Sequence, residues 1–329
     1  MSFADRLWAA VQTKQTPAMV GLDPRADLLP QGMLERHFGL HGYSLKAVAL
    51  AYEEFCSRVL DVVAPLVPAV KVQVAFFEAL GPAGGQALWH VIRKAQRLGL
   101  LVVADAKRND IGSTAEAYAA AWLSGGNVGG QRTCAWDADA LTVNPYLGMD
   151  SLEPFLNALT NAGDPRQPNR SRGLFVLVKT SNPGAAEFQD LEADGAPLYV
   201  QIARAIDRLN AGSAAPSGYG PVGAVVGATH PNEIRRLRPV MPRTLFLLPG
   251  YGAQGGRAAD LAPAFDERGF GAVVNSSRGI IFAYREPAQR DQHTPDQWEA
   301  CVASATEQMI RDLAEQTPAG RLRQERPHT

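Results

Sequence analysis

Short apolar runs alternate with helical patterns along most of this 329-residue chain. Eight runs are rich in Val, Ala and Leu and end in polar, Gly or Pro residues: Met19–Asp23, Ala69–Ala75, Leu100–Lys107, Ala140–Asn144, Leu174–Thr180, Val222–Ala228, Leu245–Gly250 and Gly271–Ser276. Strands that are apolar along their whole length, each followed by a helix, are typical of a parallel sheet covered by helices. Eight repeats favour closure into a (β/α)8 TIM barrel, an α/β fold, with an open doubly wound sheet as the alternative.

One barrel domain is predicted over residues 1–316. An amphipathic N-terminal helix over Ser2–Gln15 precedes the first strand, and a helix from Asp296 to about Gln316 follows the last one. Four long connectors rich in polar residues, Gly or Pro are expected to be surface insertions: 24–42, 163–172, 210–220 and 283–295. Residues 317–329 are expected to form a flexible C-terminal tail.

Composition argues against several classes of partner and compartment. The formal net charge of -1 provides no global field for nucleic acid or an anionic membrane surface. No run of about 18 apolar residues predicts a membrane span, and the N-terminal segment lacks the apolar core of a signal peptide. Cys56, Cys134 and Cys301 are widely spaced and odd in number, which argues against a disulfide framework or a zinc cluster. We therefore expect a cytoplasmic protein. In addition, no histidine has metal-ligand spacing to a partner, which argues against a metal site.

Charged residues stand at or near the carboxyl ends of the first three predicted strands. They are Asp23, Lys71, Asp105 and Lys107, with Asp110 on the loop that follows. The carboxyl ends of barrel strands meet in one mouth, so these side chains are expected to converge. Alternating carboxylates and ammonium groups keep each other charged, which predicts an acid rather than a Schiff-base lysine. A structural network of ion pairs at the barrel rim is the alternative.

The end of the seventh strand leads into a glycine pattern, G-x-G-x-x-G, at Gly250, Gly252 and Gly255. Loops after the seventh and eighth strands of such barrels commonly bind phosphate. The eighth strand ends in Asn275–Gly279, which offers backbone amides and the guanidinium group of Arg278. A phosphate site is therefore predicted here, with ordinary glycine-rich turns as the alternative.

Two other loop segments lie at the same predicted mouth. Ser181 follows the fifth strand and is a candidate hydrogen-bonding contact, although the segment also fits a plain turn. The stretch Ser113–Glu116 fits a capping box with Ser113 as the N-cap of the next helix. That cap is expected to fix the direction of Asp110.

Together these motifs resemble the orotidine 5'-phosphate decarboxylase family in its longer bacterial type, the type 2 subfamily. The similarity runs from about Phe3 to about Leu313 and is carried by Gly21–Pro24, Lys71–Glu78, Asp105–Ile111, Thr180–Gly184, Pro249–Gln254 and Ser277–Gly279. The resemblance implies conversion of orotidine 5'-monophosphate to uridine 5'-monophosphate and CO2. This reaction is the last step of de novo pyrimidine biosynthesis, and the resemblance implies no metal and no organic cofactor.

The resemblance also implies roles around the reacting carbon. Lys107 would donate a proton to C6 of the pyrimidine, and Asp105 would lie by the departing carboxylate. Asp23 and Lys71 would contact the ribose hydroxyls and extend the charge array, and Ser181 would contact the base. A fixed ammonium group would stabilise the C6 carbanion before protonating it.

Further implied roles concern the phosphate and a second subunit. Gln254 and Arg278 would hold the phosphate. Asp110, Ile111 and Thr114 would reach into the neighbouring subunit's site, which implies a homodimer with shared active sites. Two other functions stay open: a metal-dependent sugar-phosphate decarboxylase of a related barrel family, and a non-catalytic protein that binds a phosphate ligand.

Overall fold

The computed structural model describes residues 1–160, 170–212, 215–252, 255–287 and 294–323. Its centre is a closed barrel of parallel strands: β1 (Ala18–Leu22), β2 (Ala69–Gln73), β3 (Leu101–Arg108), β4 (Ala140–Val143), β5 (Gly173–Lys179), β6 (Val222–Val226), β7 (Phe246–Pro249) and β8 (Ala272–Ser276). Each strand pairs with the next in chain order, and β8 returns to β1 with Asn275 opposite Met19. The predicted barrel is confirmed and the open sheet was wrong.

The strands are buried on both faces, which explains their continuous apolar sequences. Every residue of β1, β4, β6 and β8 is buried, because one face of each strand packs inside the barrel and the other lies under helices. A strand that is buried on both faces has no solvent-exposed side, so its sequence does not alternate between polar and apolar residues. All eight predicted strands lie within two residues of the observed ones at both ends.

Helices cover the outside of the barrel. Those with both ends in the described residues are α1 (Phe3–Lys14), α2 (Met33–His41), α3 (Leu45–Val63), α4 (Val74–Glu78), α5 (Gly81–Arg97), α6 (Gly112–Ala119), α7 (Glu153–Thr160), α8 (Ala186–Gln189), α9 (Leu198–Leu209), α10 (Pro231–Val240), α11 (Ala258–Leu261), α12 (Arg278–Ile281) and α13 (Trp298–Gln316). Within the described residues, none of the helices combines the length and the apolar character that crossing a membrane requires.

Helix α1 closes the amino end of the barrel, which we call the base. Phe3, Leu7 and Val11 recur on one face of this helix and are buried. The Phe3 ring packs edge-on against Phe175, with the ring centroids 6.0 Å apart. A Cβ atom at Gly173 would overlap the Phe3 ring, so the helix sits directly on the first residue of β5.

A network of buried ion pairs lies between α1 and the amino ends of the strands. This base cluster consists of Arg6, Arg93, Asp137, Asp139, Arg170 and Arg172. Asp139 is fully buried, pairs with Arg6 and accepts a 2.7 Å bond from Arg170 Nη2. Burial by itself would raise the pKa of Asp139, but the neighbouring guanidinium charges outweigh it and hold that pKa below its ordinary value. Asp139 therefore stays ionised inside the fold.

The predicted flexible tail differs from the structure at its beginning. Residues Pro318–Arg323 form a 3-10 helix after α13, and Ala319 and Leu322 are buried. Apolar contact with the barrel thus extends the folded domain beyond residue 316, and the expectation for 317–323 was wrong. Residues 324–329 lie outside the described part of the chain.

The long connectors were expected to be surface insertions, and the structure corrects this in part. All four contain at least one residue that is almost completely buried, for example Met33, Arg172, Ser217 and Ala283. The first connector includes α2, which packs on α3, and the second ends in the base cluster. Residues 163–169, 213–214 and 288–293 of these connectors lie outside the described residues.

Candidate active site

A cavity of about 470 Å³ opens at the carboxyl ends of the strands. Every one of the eight strands, or the residue directly after it, contributes to its lining. Six of the ten predicted site residues line this cavity: Asp23, Lys71, Asp105, Lys107, Ser181 and Arg278. The convergence expected from the barrel geometry is therefore present at the mouth.

Four charged residues form what we call the mouth cluster: Asp23, Lys71, Asp105 and Lys107. Asp105 lies at its centre, with Oδ2 2.8 Å from Lys71 Nζ and Oδ1 2.7 Å from Lys107 Nζ. The Lys71 ammonium also lies 3.9 Å from Asp23 Oδ1. The carboxylates and ammonium groups alternate, so each charge has a neighbour of the opposite sign.

Burial and charge act in opposite directions on the centre of this cluster. Burial alone would raise the pKa of Asp105, but the Lys71 and Lys107 charges outweigh it and hold that pKa well below its ordinary value. Burial alone would lower the pKa of Lys71, but Asp105 and Asp23 outweigh it and raise that pKa. Both groups therefore stay charged at neutral pH. Lys107 differs from Lys71 in exposure, because 48% of its side chain is accessible against 4%.

Sequence reasoning missed two polar partners of Asp105. The Gln73 amide donates to Asp105 Oδ2 at 3.0 Å, and the Thr142 hydroxyl donates to Oδ1 at 2.9 Å. Gln73 stands two residues after Lys71 on the same strand, so the period of two could have found it. Thr142 is the polar residue of an otherwise apolar strand, which was also a usable signal.

A β-bulge in β3 turns Lys107 toward Asp105. The pairing of β3 with β4 runs from Ala104 opposite Leu141 to Arg108 opposite Val143, so three residues on β3 face one on β4. Lys107 has a left-handed backbone with φ of 48°, which is uncommon for a residue with a side chain. The two side chains meet as predicted, but through this bulge rather than through regular strand alternation.

Apolar side chains and close backbone packing complete the cavity wall. Leu177, Val225 and Leu247 line it from β5, β6 and β7. On the other side, a Cβ atom at Gly21 would overlap the Ser277 hydroxyl, so only glycine at this position lets β1 and the end of β8 come so close. The cavity thus offers a charged wall and an apolar wall to one ligand.

The predicted phosphate segments lie at the same opening. Gly250, Gly252 and Gly255 have positive φ angles of 99°, 72° and 94°, and Gly255 N donates to Gly252 O at 2.7 Å. Positive φ angles of this kind favour glycine. Arg278 is exposed and lines the cavity. Gln254 lies outside the described residues.

Three predicted site residues do not line the cavity of their own chain, although the structure describes all of them. Ile111 is 59% exposed, Thr114 is exposed, and Asp110 Oδ1 accepts a 2.8 Å bond from Ile111 N. The predicted capping box was wrong, because α6 begins at Gly112 with Ile111 as N-cap and without a side-chain cap. Asp110 is oriented by its own turn instead of by Ser113.

The three cysteines are not among the residues that line the mouth cavity. Cys56, Cys134 and Cys301 are all free, and burial raises the pKa of the Cys56 thiol. Among the described residues, no group of three or more His, Cys, Asp or Glu side chains is arranged to hold a metal ion. The described side chains at the cavity are carboxylates, ammonium and guanidinium groups, hydroxyls, amides and apolar groups.

Comparisons with known proteins agree with this geometry. Residues 17–290 match the model of the orotidine 5'-phosphate decarboxylase / HUMPS family. The chain is 47% identical over 313 residues to an orotidine 5'-phosphate decarboxylase of Rhodopirellula baltica, covering 95% of this chain and 99% of that one.

Solved structures show the same relationship. The Leishmania donovani OMP decarboxylase superposes with a TM-score of 0.69 at 30% identity, covering 96% of this chain and 98% of that one. The Leishmania donovani UMP synthase gives a TM-score of 0.71 at 32% identity, covering 96% of this chain and 56% of that longer one. The chain therefore belongs to the orotidine 5'-phosphate decarboxylase / HUMPS family, as its motifs predicted.

Proposed function

We propose that the chain converts orotidine 5'-monophosphate to uridine 5'-monophosphate and CO2, the last step of UMP biosynthesis. The observation that carries this proposal is the Lys71–Asp105–Lys107 array, which faces an open cavity lined on its other side by apolar residues. The curated relative with 47% identity over nearly the whole chain supports the same reaction.

The charge array accounts for the chemistry. Loss of CO2 leaves a carbanion at C6 that the pyrimidine ring cannot delocalise well, so positive charge is needed where the electron pair develops. Lys107 is the accessible ammonium of the array and its Nζ is already fixed 2.7 Å from Asp105. It stabilises the carbanion and then protonates C6. Two unit charges 4 Å apart interact by about 4 kcal/mol at an effective dielectric near 20.

Asp105 and the buried lysine have supporting roles. The low pKa of Asp105 keeps it ionised, so its charge lies beside the departing carboxylate group of the substrate. Lys71 and Asp23 contact the ribose hydroxyls, and Lys71 also keeps Asp105 charged. The order carboxylate, ammonium, carboxylate, ammonium thus prepares one site that repels the leaving group and attracts the carbanion.

The remaining substrate contacts come from loops at the mouth. Ser181 contacts the pyrimidine base, and Arg278 holds the phosphate together with Gln254. The exposure of Arg278 at the cavity supports this assignment, since a guanidinium group offers paired donors to phosphate oxygens. Phosphate binding far from C6 supplies free energy for holding the reacting ring against the charge array.

The loop after β3 supports a homodimer with shared sites. Asp110, Ile111 and Thr114 follow Lys107 closely in sequence but lie outside the cavity of their own chain, and Ile111 exposes 59% of its surface. We propose that they complete the site of a second copy. Mixing inactive Asp110→Ala and Lys107→Ala proteins then restores turnover, because one mixed site has neither substitution. Absence of recovery after exchange of subunits would contradict shared sites.

We propose that the reaction takes place in the cytoplasm. All three cysteines are described and free, and Cys56 and Cys301 are buried. A reducing compartment keeps such thiols unpaired.

The test of the function is the loss of orotidine 5'-monophosphate absorbance with chelator-treated protein. Turnover that survives chelation supports the proposal, and turnover that requires added Mg²⁺ supports a metal-dependent decarboxylase instead. Nucleotide binding without turnover would indicate a binding protein. Lys107→Ala should abolish detectable turnover, whereas Lys94→Ala is the matched control because Lys94 pairs with Asp61 on the outer surface.

A further inference from the structure

We propose that the Thr142 hydroxyl is a positioning group for decarboxylation, which fixes Asp105 and Lys107 relative to each other. The hydroxyl is buried, accepts the backbone N–H of Lys107 at 2.9 Å and donates to Asp105 Oδ1 at 2.9 Å. One side chain on β4 therefore binds the backbone of the proton donor and the carboxylate that orients its ammonium group.

The bulge explains why a side chain is needed at this point. Residues 105–107 of β3 face Thr142 alone on β4, so the regular strand ladder is interrupted between Ala104 and Arg108. The Lys107 N–H takes the Thr142 hydroxyl as its acceptor in this interruption. A buried N–H without an acceptor is destabilising, so the hydroxyl holds the bulge in its observed form.

The left-handed backbone of Lys107 depends on the same contact. A residue with a side chain at φ of 48° is retained only when its surroundings fix it. Without the hydroxyl, the segment relaxes toward ordinary extended backbone, and Lys107 Nζ moves relative to C6 of a bound nucleotide. Misplacing a reacting group by about 1 Å reduces the rate by about 10²-fold.

Loss of the hydroxyl should leave the other anchors of Asp105 in place. Lys71 and Gln73 bind its second oxygen, Oδ2, at 2.8 and 3.0 Å. Asp105 therefore remains ionised and the ribose contacts remain near their places. The inference predicts a defect in kcat with little change in nucleotide affinity, which a general loss of folding would not produce.

Thr244 provides a matched control at the other end of the barrel. Its hydroxyl is also fully buried, donates to a carboxylate oxygen of Asp207 at 3.2 Å and accepts from the Asn210 amide at 3.0 Å. Thr244→Val removes the same pattern of hydrogen bonds away from the mouth. Thr142→Val removes the hydroxyl with nearly the same shape, and Thr142→Ser keeps it.

The experiment measures kcat, KM, the Kd of uridine 5'-monophosphate and the thermal midpoint for these variants. We expect Thr142→Val to lower kcat by about 10²-fold with Kd within about threefold of wild type. Thr142→Ser should retain kcat within about threefold, and Thr244→Val should lose stability with unchanged kcat. If Thr142→Val cannot be purified in a folded state, Thr142→Ala, which also lacks the hydroxyl, is compared with the wild type and with Thr142→Ser instead.

Two outcomes overturn the inference. One is wild-type kcat in the folded Thr142→Val or Thr142→Ala protein. The other is a Thr142→Ser protein as slow as the hydroxyl-free variants. The inference rests on the proposed decarboxylation, and the two failures are distinct: an inactive wild-type enzyme refutes both, whereas an active wild type matched by Thr142→Val refutes only the positioning role.

Discussion

The barrel carries a cluster of buried ion pairs at each end, and the two clusters differ in their cations and in their access to solvent. The mouth cluster pairs Asp105 with Lys71 and Lys107, and Lys107 is half exposed to a cavity. The base cluster pairs Asp139 with Arg6 and Arg170, under the cover of α1. Both clusters hold their central carboxylate ionised by lowering its pKa.

The difference shows that buried charge alone does not mark a catalytic site. A guanidinium group keeps its proton in proteins and binds carboxylates through a rigid set of donors, which suits a permanent structural contact. An ammonium group is a compact donor that can transfer its proton. The end of the barrel with ammonium groups and an opening is therefore able to do acid catalysis, and the closed arginine end contributes to stability.

The largest expected effect comes from exchanging the cation type at the mouth. Lys107→Arg keeps a positive charge but removes the group able to protonate C6. We expect kcat/KM to fall by about 10⁴-fold, equivalent to about 5.5 kcal/mol. Steady-state kinetics with orotidine 5'-monophosphate measures this loss, and circular dichroism verifies the fold.

The opposite exchange at the base is the control for that comparison. Arg172→Lys replaces the guanidinium group that binds Asp137 with a single ammonium group. It should lower the free energy of unfolding and leave kcat within about twofold of the wild-type value. A catalytically normal Lys107→Arg enzyme, or a folded but inactive Arg172→Lys enzyme, would break the distinction between the two ends.

The next largest effect is on stability at the base. Asp139→Asn removes the carboxylate charge between Arg6 and Arg170, so Arg6 loses its carboxylate partner and Arg170 keeps only Asp137. We expect a loss of about 3–5 kcal/mol in the free energy of unfolding, measured by urea titration. Asp260→Asn is the control, because Asp260 pairs with Arg257 at the surface, and this variant should not change the urea midpoint of unfolding. Equal midpoints for the two variants would mean that the base cluster contributes little.

Two glycines give a smaller effect that again separates the ends. Gly21→Ala at the mouth would press on Ser277 next to Arg278, whereas Gly173→Ala at the base would press on the Phe3 ring. Both changes should lower the free energy of unfolding by about 1–3 kcal/mol, because the added methyl group overpacks the site. Only Gly21→Ala should raise the KM for orotidine 5'-monophosphate, by roughly tenfold, because it displaces the wall of the cavity. A matching rise in Gly173→Ala would show that the base also shapes the mouth.

The sequence was most informative where one local rule decides the outcome. The eight strands were found because residues buried on both faces must be apolar throughout, as in Val222–Val226. Asp105 and Lys107 were found because ionised side chains are seldom buried without a partner, so two charges at the end of an apolar strand stand out. The tail after residue 316 was misjudged because Ala319 and Leu322 are too few to produce a recognisable pattern.

The parts that sequence reasoning missed depend on three-dimensional registration. Thr142 contacts Lys107 because of a bulge in the neighbouring strand, and no spacing within either segment encodes that pairing. The base cluster brings Arg6 to Asp139 across 133 residues, so its members look like ordinary surface charges in the sequence. Long-range ion pairs of this kind need the closed barrel before they can be recognised.

Acid titration of stability is the finest test of the comparison. Asp105 and Asp139 both have lower pKa values in the folded chain than in the unfolded chain. The unfolded state therefore binds more protons, so each carboxylate's contribution is complete above its unfolded pKa near 4 and is lost as the pH falls through the folded pKa. Urea titrations from pH 7 to pH 3 should show the free energy of unfolding of the wild type falling with pH. The fall should be less steep in Asp105→Asn and in Asp139→Asn, by up to about 1.4 kcal/mol per pH unit. A flatter decline in both variants would confirm that each carboxylate has a lowered pKa in the folded chain. A flatter decline in Asp139→Asn alone would mean that the mouth cluster, which is open to solvent, does not lower the pKa of Asp105 as the closed base cluster lowers that of Asp139.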